Sequence, residues 1–414
     1  MHKNPKLILI IIMLVSFLGT IGIALPYPVL APYFIDYPAN ELTHFMGFHP
    51  KILLGVSLAI YPLGMLIGSI YIGALSDHYG RRKVLLITLF GSVIGYALTA
   101  LAIYYESFVF FILARLLTGI CEGNIAIARA IAVELHPKID RTKALSLVYT
   151  ATYSGWMLGP VIGGFLMVYG VAEVFIMAGI GMAISIVLVW FMVAKDKTEN
   201  LDDSDFWHTI RNNNSLTLLK NKQILPIFWF YFLYSMGLNA FYDFYPVWFV
   251  DYFDATGKTI SLATLCLTLV MIIVSTFFVT KFQKKYGEIH MILAGGAILA
   301  ALLFIQPFLG LYQAFVIFSI IGGIIALTNG MIPSYLSTYF GHLGQGKVMG
   351  LQTSTFCITN VIIAIFGGII SILDSVYILL IGSILIMFSV IVLWSNRKSQ
   401  FEIMAADETE NLGP

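Results

Sequence analysis

The sequence is poor in charge, because only 11% of its 414 residues are Asp, Glu, Lys or Arg while 59% are hydrophobic. A water-soluble chain of this length needs far more polar side chains to cover its surface. Nearly every charged residue falls in a short gap between long apolar runs. The composition therefore excludes an ordinary soluble domain and indicates a chain for which lipid is the main solvent.

Cysteine is scarce and positive charge is not in excess. The three cysteines lie far apart inside apolar runs, so the sequence predicts neither a disulfide framework nor a metal site. The net charge is +1 with scattered Lys and Arg, which argues against a nucleic-acid partner. Signatures of metalloproteases and nucleophile-elbow hydrolases are missing from the sequence. We therefore expect no cofactor and no enzymatic activity.

Twelve apolar runs are long enough to cross a hydrocarbon core of about 30 Å. Because the first run is long, continues through three prolines and lacks a small-residue cleavage site, we interpret it as a retained helix rather than a signal peptide. The runs lie at about 7–34, 52–76, 84–105, 107–133, 144–169 and 172–194, and then at about 224–250, 260–280, 289–309, 311–337, 348–372 and 375–394.

An internal repeat appears when the first run is aligned with the seventh at a shift of 215 residues, where five positions are identical. The runs also split six and six about a polar stretch, as in carriers built from two parallel halves with a site between them. We therefore predict an all-α membrane protein of twelve transmembrane helices in two pseudo-symmetric six-helix bundles. The predicted parts are an N-terminal bundle at 1–194, a cytoplasmic linker at 195–223, a C-terminal bundle at 224–396 and a cytoplasmic tail at 397–414.

Lys and Arg are distributed very unevenly between the two sets of loops. With both termini in the cytoplasm, nineteen of the twenty-three lie in cytoplasmic segments, two lie on the opposite face and two lie within helices. Positive residues are retained on the cytoplasmic side during insertion. The sequence therefore predicts cytoplasmic termini and a cytoplasmic linker, and we place the protein in a bacterial inner membrane.

The loop after the second run reads Gly73-Ala-Leu-Ser-Asp77-His-Tyr-Gly80-Arg81-Arg82-Lys83. This pattern resembles the signature loop of the major facilitator superfamily, a large family of membrane transporters. The resemblance implies a conformational latch, in which the acid at the inner end of the fourth helix, matched by Glu134, pairs with the loop. The alternative is a basic loop that only sets topology.

The fifth run contains Gly155-Trp-Met-Leu-Gly159-Pro160-Val-Ile-Gly163-Gly164, which resembles the antiporter signature of the same family. Glycines four residues apart form a smooth helix face, and the proline bends the helix, so the segment is also explained by close packing alone. Together with Arg115 and Gly119, it is similar to the twelve-span drug/proton antiporter branch that includes tetracycline exporters. That resemblance implies exchange of a compound against protons.

The resemblance is uneven along the chain. The C-terminal half has only degenerate copies of the motifs, such as Tyr286-Gly287 and Gly367-Gly368. Tetracycline exporters carry an acid in the first helix where this chain has the neutral Gly19 and Thr20. Proton coupling, if present, must therefore use other residues.

Four charged residues lie well inside the apolar runs, away from their ends, where each is costly and normally faces a cavity or a partner. Arg115, Glu122 and Arg129 recur every seven residues, which predicts one ionic stripe on the fourth helix. Glu122 is the first candidate for proton coupling, with a structural ion-pair ladder as the alternative. Asp243, in the seventh run, is the second candidate.

The seventh run is also unusually aromatic around Asp243. Such rings are suited to stacking on a flat ligand, but rings near the outer end of a span are equally typical of interfacial anchors, as for Trp248. The candidates for the substrate cavity are Arg115, Arg129, Asn239, Tyr242 and Tyr245.

The sequence thus favours a secondary transporter that exchanges protons for a small organic compound or drug by alternating access. The first alternative is a carrier for a specific carboxylate-rich, siderophore-like anion, because two intramembrane arginines offer fixed positive charge. The second is a membrane sensor that does not transport. The expected partners are a small-molecule substrate, protons and lipid, and we expect a monomer.

Overall fold

A computed structural model describes residues 4–139, 141–192, 215–343 and 345–397. Within these ranges the chain forms helices joined by short turns, without a β-strand. The expected fold class, an all-α membrane protein, is confirmed. The predicted linker is described only from residue 215 onward and the predicted tail only at Arg397, so the predicted domain bounds stay predictions.

Fifteen α-helices follow one another through the described ranges. They are α1 (Pro5–Ala24), α2 (Tyr27–Ile35), α3 (Pro50–Tyr79), α4 (Arg81–Tyr104), α5 (Phe108–Glu122), α6 (Ile125–Glu134), α7 (Arg141–Leu166), α8 (Val171–Met192), α9 (Leu225–Phe253), α10 (Gly257–Phe277), α11 (Val279–Tyr286), α12 (Glu288–Ile305), α13 (Leu311–Phe340), α14 (Gln345–Ile370) and α15 (Ser375–Ser395). Short 3₁₀ turns lie at Phe45–Gly47, Met167–Tyr169, Ser215–Lys220, Gln306–Phe308 and Gly341–Leu343.

Eleven helical stretches in the described ranges are long and apolar enough to cross a membrane. Two of them each combine a pair of successive helices, α1 with α2 and α5 with α6. The seventh predicted run forms α9, whose many Tyr and Trp residues and two aspartates lower its mean hydropathy. Its 29 residues extend about 43 Å at about 1.5 Å per residue, so α9 is long enough to be the twelfth span.

Local sequence signals explain where several helices begin. Proline stands at the first position of α1 and of α3, where its missing N–H leaves no hydrogen bond unmade. Asn4, His49 and Asp374 precede helices, and each accepts a hydrogen bond from the backbone N–H two residues further on.

The helices divide into two compact units. Unit 1 comprises Met1–Asn212 and Phe249–Leu262, and unit 2 comprises Asn213–Trp248 and Ala263–Pro414. The end of α9 and the start of α10 therefore belong to unit 1. Lys51 Nζ and Asp251 Oδ2 form an ion pair at 2.7 Å there. This contact ties the last turn of α9 to the start of α3.

Glycine allows unusually close helix packing in unit 1. On α7, an added Cβ at Gly155 would lie 2.8 Å from the Phe17 carbonyl oxygen, and one at Gly159 would lie 2.6 Å from the Ala24 Cβ. Gly163 faces the Leu25 carbonyl in the same way. The face formed by these glycines therefore lies directly against the backbone of α1.

Unit 2 has its own close packing between α9 and α15. An added Cβ at Gly382 would lie 2.9 Å from the Ala240 Cβ and 3.0 Å from the Gly237 carbonyl oxygen. Ser383 on α15 donates a hydrogen bond to the Ala300 carbonyl of α12 at 2.8 Å. These contacts fix α9, which carries Asp243, against the rest of unit 2.

Candidate functional site

Glu122 is the last residue of α5, and it is buried with 1% of its surface exposed. The Tyr61 hydroxyl, from α3, donates a hydrogen bond to Oε2 of this carboxyl group. Oε1 has no hydrogen-bond partner, although the buried Tyr96 hydroxyl of α4 approaches the carboxyl group outside hydrogen-bond geometry. Glu122 thus lies buried beside two tyrosines.

Arg115 contacts the same tyrosine through its aromatic ring. Its Cζ lies 4.5 Å from the Tyr61 ring centroid and 5.6 Å from that of Phe175 on α8. Its Nε and Nη1 are buried without a hydrogen-bond partner. In the described part of the chain neither Arg115 nor Glu122 takes part in an ion pair. The two charges are therefore linked through an aromatic ring rather than by direct pairing.

Arg129 is separated from these two residues by a turn at Gly123–Asn124, where α5 ends and α6 begins. Its Cζ lies 4.5 Å from the ring centroid of Tyr149 on α7. The single ionic stripe expected from the seven-residue spacing is thus divided between two surroundings, since Arg115 and Glu122 contact Tyr61 while Arg129 contacts α7.

Asp243 lies on α9 in unit 2 and has 3% of its surface exposed. Neither carboxyl oxygen has a hydrogen-bond partner. One turn earlier, the Asn239 amide donates to the Thr359 hydroxyl at 3.3 Å, and Thr359 donates to Ser235 at 3.0 Å. Asp243 therefore continues a buried polar row between α9 and α14 but is not bonded to it.

The aromatic residues near Asp243 pack against one another. The Tyr245 hydroxyl is 2.6 Å from the Thr264 hydroxyl, and its ring stacks on Phe241 with centroids 5.3 Å apart. The Tyr242 hydroxyl points to the Met271 sulfur at 3.9 Å. Trp248 is fully buried, which differs from the interfacial anchor considered for it, because an anchor has to reach the membrane surface.

The loop between α3 and α4 turns at Gly80, whose φ of +95° is a conformation that favours glycine. Arg81 Nε lies 2.9 Å from Glu134 Oε1 at the end of α6, and Nη1 donates to Ser76 at 2.6 Å. Arg82 donates to the Trp190 carbonyl at 2.6 Å. The surroundings of Gly73 and of the Asp77 side chain lie outside the described part of the structure.

The loop between α11 and α12 repeats this geometry in unit 2. Gly287 has a φ of +75° and is followed by Glu288, as Gly80 is followed by Arg81. Glu288 Oε1 accepts hydrogen bonds from Gln283, at 2.7 Å, and from Ser334. Gln283 and Ser76 both lie five residues before the charged residue that they contact. The two loops therefore share one backbone design with opposite charge.

A small group of charged side chains lies outside the spans, near the Lys51–Asp251 ion pair. Burial raises the pKa of Asp36, and the neighbouring carboxylates of Asp254 and Asp251 raise it further. Burial lowers the pKa of His49, and the positive charge of Lys51 lowers it further. Three carboxylates thus influence one another at this end of unit 1, and one of them, Asp251, pairs with Lys51.

Residues 7–305, well over half of the chain, match the sequence pattern of the family described as the Major Facilitator Superfamily. The chain belongs to the Major Facilitator Superfamily. It is accordingly a multi-pass membrane transporter and not an enzyme. Within the described residues, no group of His, Cys, Asp or Glu side chains is arranged to hold a metal ion.

Relatives of this superfamily member include resistance proteins. It is 27% identical over 373 residues to the class B tetracycline resistance protein of Escherichia coli, covering 87% of each chain. It is 25% identical over 407 residues to multidrug resistance protein 2 of Bacillus subtilis strain 168, covering 96% of this chain and 97% of the relative. The resemblance to the tetracycline-exporter branch is confirmed.

The crystal structure of a D-xylose-proton symporter shares the fold, with a TM-score of 0.75. It is 16% identical in sequence and covers 94% of this chain and 97% of its own. At that identity the likeness extends to the fold alone.

Sequence reasoning missed three residues of these sites: Tyr61, Tyr96 and Glu288. The tyrosines lie in apolar runs without a motif, and only helix packing brings them to Glu122. Glu288 had a signal, because Tyr286-Gly287 copies Tyr79-Gly80 and the next residue is charged in both loops.

Proposed function

We propose that this transporter is a proton-coupled antiporter that exports a small organic compound by alternating access. The observation that carries the proposal is Glu122, a carboxyl group buried in unit 1 that is hydrogen-bonded by Tyr61 and forms no ion pair with a described residue. We assign the proton-carrying role to Glu122 and keep Asp243 as the second candidate.

The physical basis is the cost of an uncompensated charge in a low-dielectric interior. A carboxylate that pairs with a cation at short distance is held in its ionised form, so it is poorly suited to binding and releasing a proton during the transport cycle. Glu122 instead contacts a neutral hydroxyl, and Arg115 reaches it only across the Tyr61 ring. Proton uptake at Glu122 therefore changes the charge balance of the pocket and can favour one conformation over another.

The names of the relatives support export of a drug-like compound. Both resistance proteins match this chain over most of their length. The glycines of α7 that lie against α1 are compatible with the antiporter signature in this branch. We assign the Arg81–Glu134 pair and the loop around it to a conformational latch, together with Asp77.

A second candidate function is transport of a specific anionic, carboxylate-rich metabolite. It is favoured by Arg115 and Arg129, neither of which takes part in an ion pair in the described ranges. Such cations strengthen the binding of an anion, whereas they repel a cationic drug.

Transport by the purified protein in lipid vesicles tests both candidates. An imposed pH gradient should drive accumulation of substrate, and collapse of the gradient with a proton carrier should stop it. Cationic dyes and polycarboxylates are compared in the same assay, and the class that accumulates decides between the candidates. Absence of flux for every compound would favour a non-transporting sensor.

We also propose cytoplasmic termini in a bacterial inner membrane, from the distribution of Lys and Arg. Single cysteines at Ser204 and Thr256 test this topology with a membrane-impermeant thiol reagent, after the three native cysteines are replaced. From outside intact cells, Thr256→Cys should be labelled and Ser204→Cys should not. Labelling of the Ser204 variant would contradict the topology.

A further inference from the structure

Arg129 is an intramembrane cation that no described residue neutralises. Its guanidinium lies over the Tyr149 ring at 4.5 Å and takes part in no ion pair with a described residue. Its Nε is buried without a hydrogen-bond partner, although the residue as a whole is only half-buried. The described protein therefore leaves donors of this guanidinium unused.

The position of Arg129 makes a purely lipid-facing role unfavourable. The residue lies five positions before Glu134, which pairs with Arg81 at the end of the helix. It is thus about 7.5 Å deeper along α6 than that ion pair. An arginine at such depth normally faces a water-filled cavity or an anionic group, since exposure to lipid is costly.

Aromatic side chains extend along α7 from the point where Arg129 contacts it. Tyr149 and Tyr153 stack with centroids 6.3 Å apart at 24°, and 38% of the Tyr153 surface is exposed. Trp156 follows three residues later, with its ring 5.9 Å from that of Tyr27. Because residues at positions i, i+4 and i+7 share a helix face, these rings form one aromatic stripe that begins at a guanidinium.

We propose that Arg129, Tyr149 and Tyr153 form a binding subsite for an organic anion that carries a carboxylate on a flat ring system. The carboxylate binds the guanidinium, whose planar fork matches two carboxylate oxygens. The ring system stacks along the exposed tyrosine. This inference rests on the proposal that the chain carries a small organic compound, and it does not depend on proton coupling.

The chemistry of the subsite selects between ligands of equal shape. A neutral ring keeps the stacking but loses the charge-assisted hydrogen bonds, while a cationic ring meets the arginine as a like charge. A matched ligand pair, 2-naphthoate and 2-naphthamide, isolates the charge because both have the same ring and nearly the same volume. Their affinities for the purified full chain in detergent can be measured by isothermal titration calorimetry.

We expect the wild-type protein to bind 2-naphthoate at least about tenfold more tightly than 2-naphthamide, the ratio that a charge-assisted hydrogen bond supplies. Arg129→Gln should remove this preference by weakening the naphthoate alone. Arg129→Lys should keep part of it, because the charge remains without the fork. Tyr149→Leu and Tyr153→Leu should weaken both probes alike, and the Phe variants should bind as the wild type does.

Lys258→Gln is the matched control, because it removes the same charge from an exposed position outside the stripe. It should leave both affinities unchanged. A preserved elution volume in size-exclusion chromatography identifies the variants that remain folded. If Arg129→Gln unfolds the protein, the Arg129→Lys and Tyr153→Phe/Leu comparisons still decide the outcome.

Three results overturn the subsite: equal wild-type affinities for the two probes, an unchanged preference in folded Arg129→Gln, and no binding of either probe at millimolar concentration. The titrations use no membrane gradient, so their outcome is separate from that of the transport assay. Naphthoate binding that depends on Arg129 supports the subsite even if no proton-driven flux is found. Proton-driven flux of cationic dyes together with equal probe affinities retains the antiport proposal and removes the subsite.

Discussion

Glu122 in unit 1 and Asp243 in unit 2 are both buried in the membrane-spanning part of the chain, but their surroundings differ. In unit 1, Glu122 accepts a hydrogen bond from Tyr61, and Arg115 stacks on the same ring. In unit 2, Asp243 has no hydrogen-bond partner at either oxygen. The difference teaches that burial within a span does not by itself give two acids the same polar neighbours.

A proton carrier has to alternate between two states, and its neighbours have to respond. Glu122 has such neighbours, because a tyrosine hydroxyl can donate to a carboxylate or accept from a carboxylic acid. Asp243 contacts no described polar group that would register its protonation. For the proposed proton coupling, Glu122 is therefore the first candidate and Asp243 the second.

The largest expected effect comes from removing the titrating group in each unit. Glu122→Gln keeps the shape of the side chain but cannot release a proton. This variant should lose accumulation driven by a pH gradient, while exchange of labelled for unlabelled substrate at equal pH should persist because it needs no net proton movement. Vesicle flux with and without a gradient measures both quantities.

Asp243→Asn is the matched change in unit 2, and its transport should remain dependent on the gradient. The assignment would be reversed by full gradient-driven transport in Glu122→Gln together with loss of coupling in Asp243→Asn. Loss of both accumulation and exchange in Glu122→Gln at normal expression would point to a structural role instead.

The loops that follow α3 and α11 provide the second comparison, because they share a glycine turn but carry opposite charge. In unit 1, Asp77→Ala should lower the transport rate while expression holds, since an acid in a latch affects the balance of conformations more than folding. The measurement is initial flux at matched protein level.

In the loop of unit 2 the change is Glu288→Gln, at the position that matches Arg81, and it keeps the acceptor that Gln283 and Ser334 use. We expect it to reduce flux less than Asp77→Ala does. Normal flux in Asp77→Ala would mean that the loop of unit 1 only sets topology. A larger loss in Glu288→Gln would move the latch to unit 2.

The smallest effect concerns helix packing on the first helix of each half. Gly155 lies against the backbone of α1, whereas Gly367 on α14 lies against the ring of Phe244 on α9. Gly155→Ala should destabilise the protein by about 1–3 kcal/mol, the usual cost of overpacking. The apparent Tm of the purified protein should fall by several degrees.

Gly181→Ala on α8 is the control, because its added Cβ would meet only the flexible end of Leu18 at 3.9 Å. Its apparent Tm should be unchanged or slightly higher, since alanine favours a helix. Equal Tm values for the Gly155 and Gly181 variants would show that α1 can move to accommodate a methyl group.

The sequence predicted the spans well and their internal contacts poorly. The apolar runs were recognisable because a bilayer of fixed thickness demands about twenty apolar residues per helix. The arrangement of Arg115, Glu122 and Arg129 was not predicted correctly. A strict seven-residue spacing places them on one face only in an uninterrupted helix, and the chain turns at Gly123–Asn124. The burial of Trp248 was not predicted for a related reason, because it depends on which helices cover the end of α9.

By itself the sequence determined that the chain is an all-helical membrane protein with the motifs of one transporter superfamily. Lipid permits only backbones that satisfy their own hydrogen bonds, so composition and run length settle the helices before any packing is known. Only the tertiary structure decided which side chains meet. Tyr61 and Glu122 are 61 positions apart, and they come together because helices in lipid associate by close packing of small residues, as Gly64 and Gly119 do between α3 and α5.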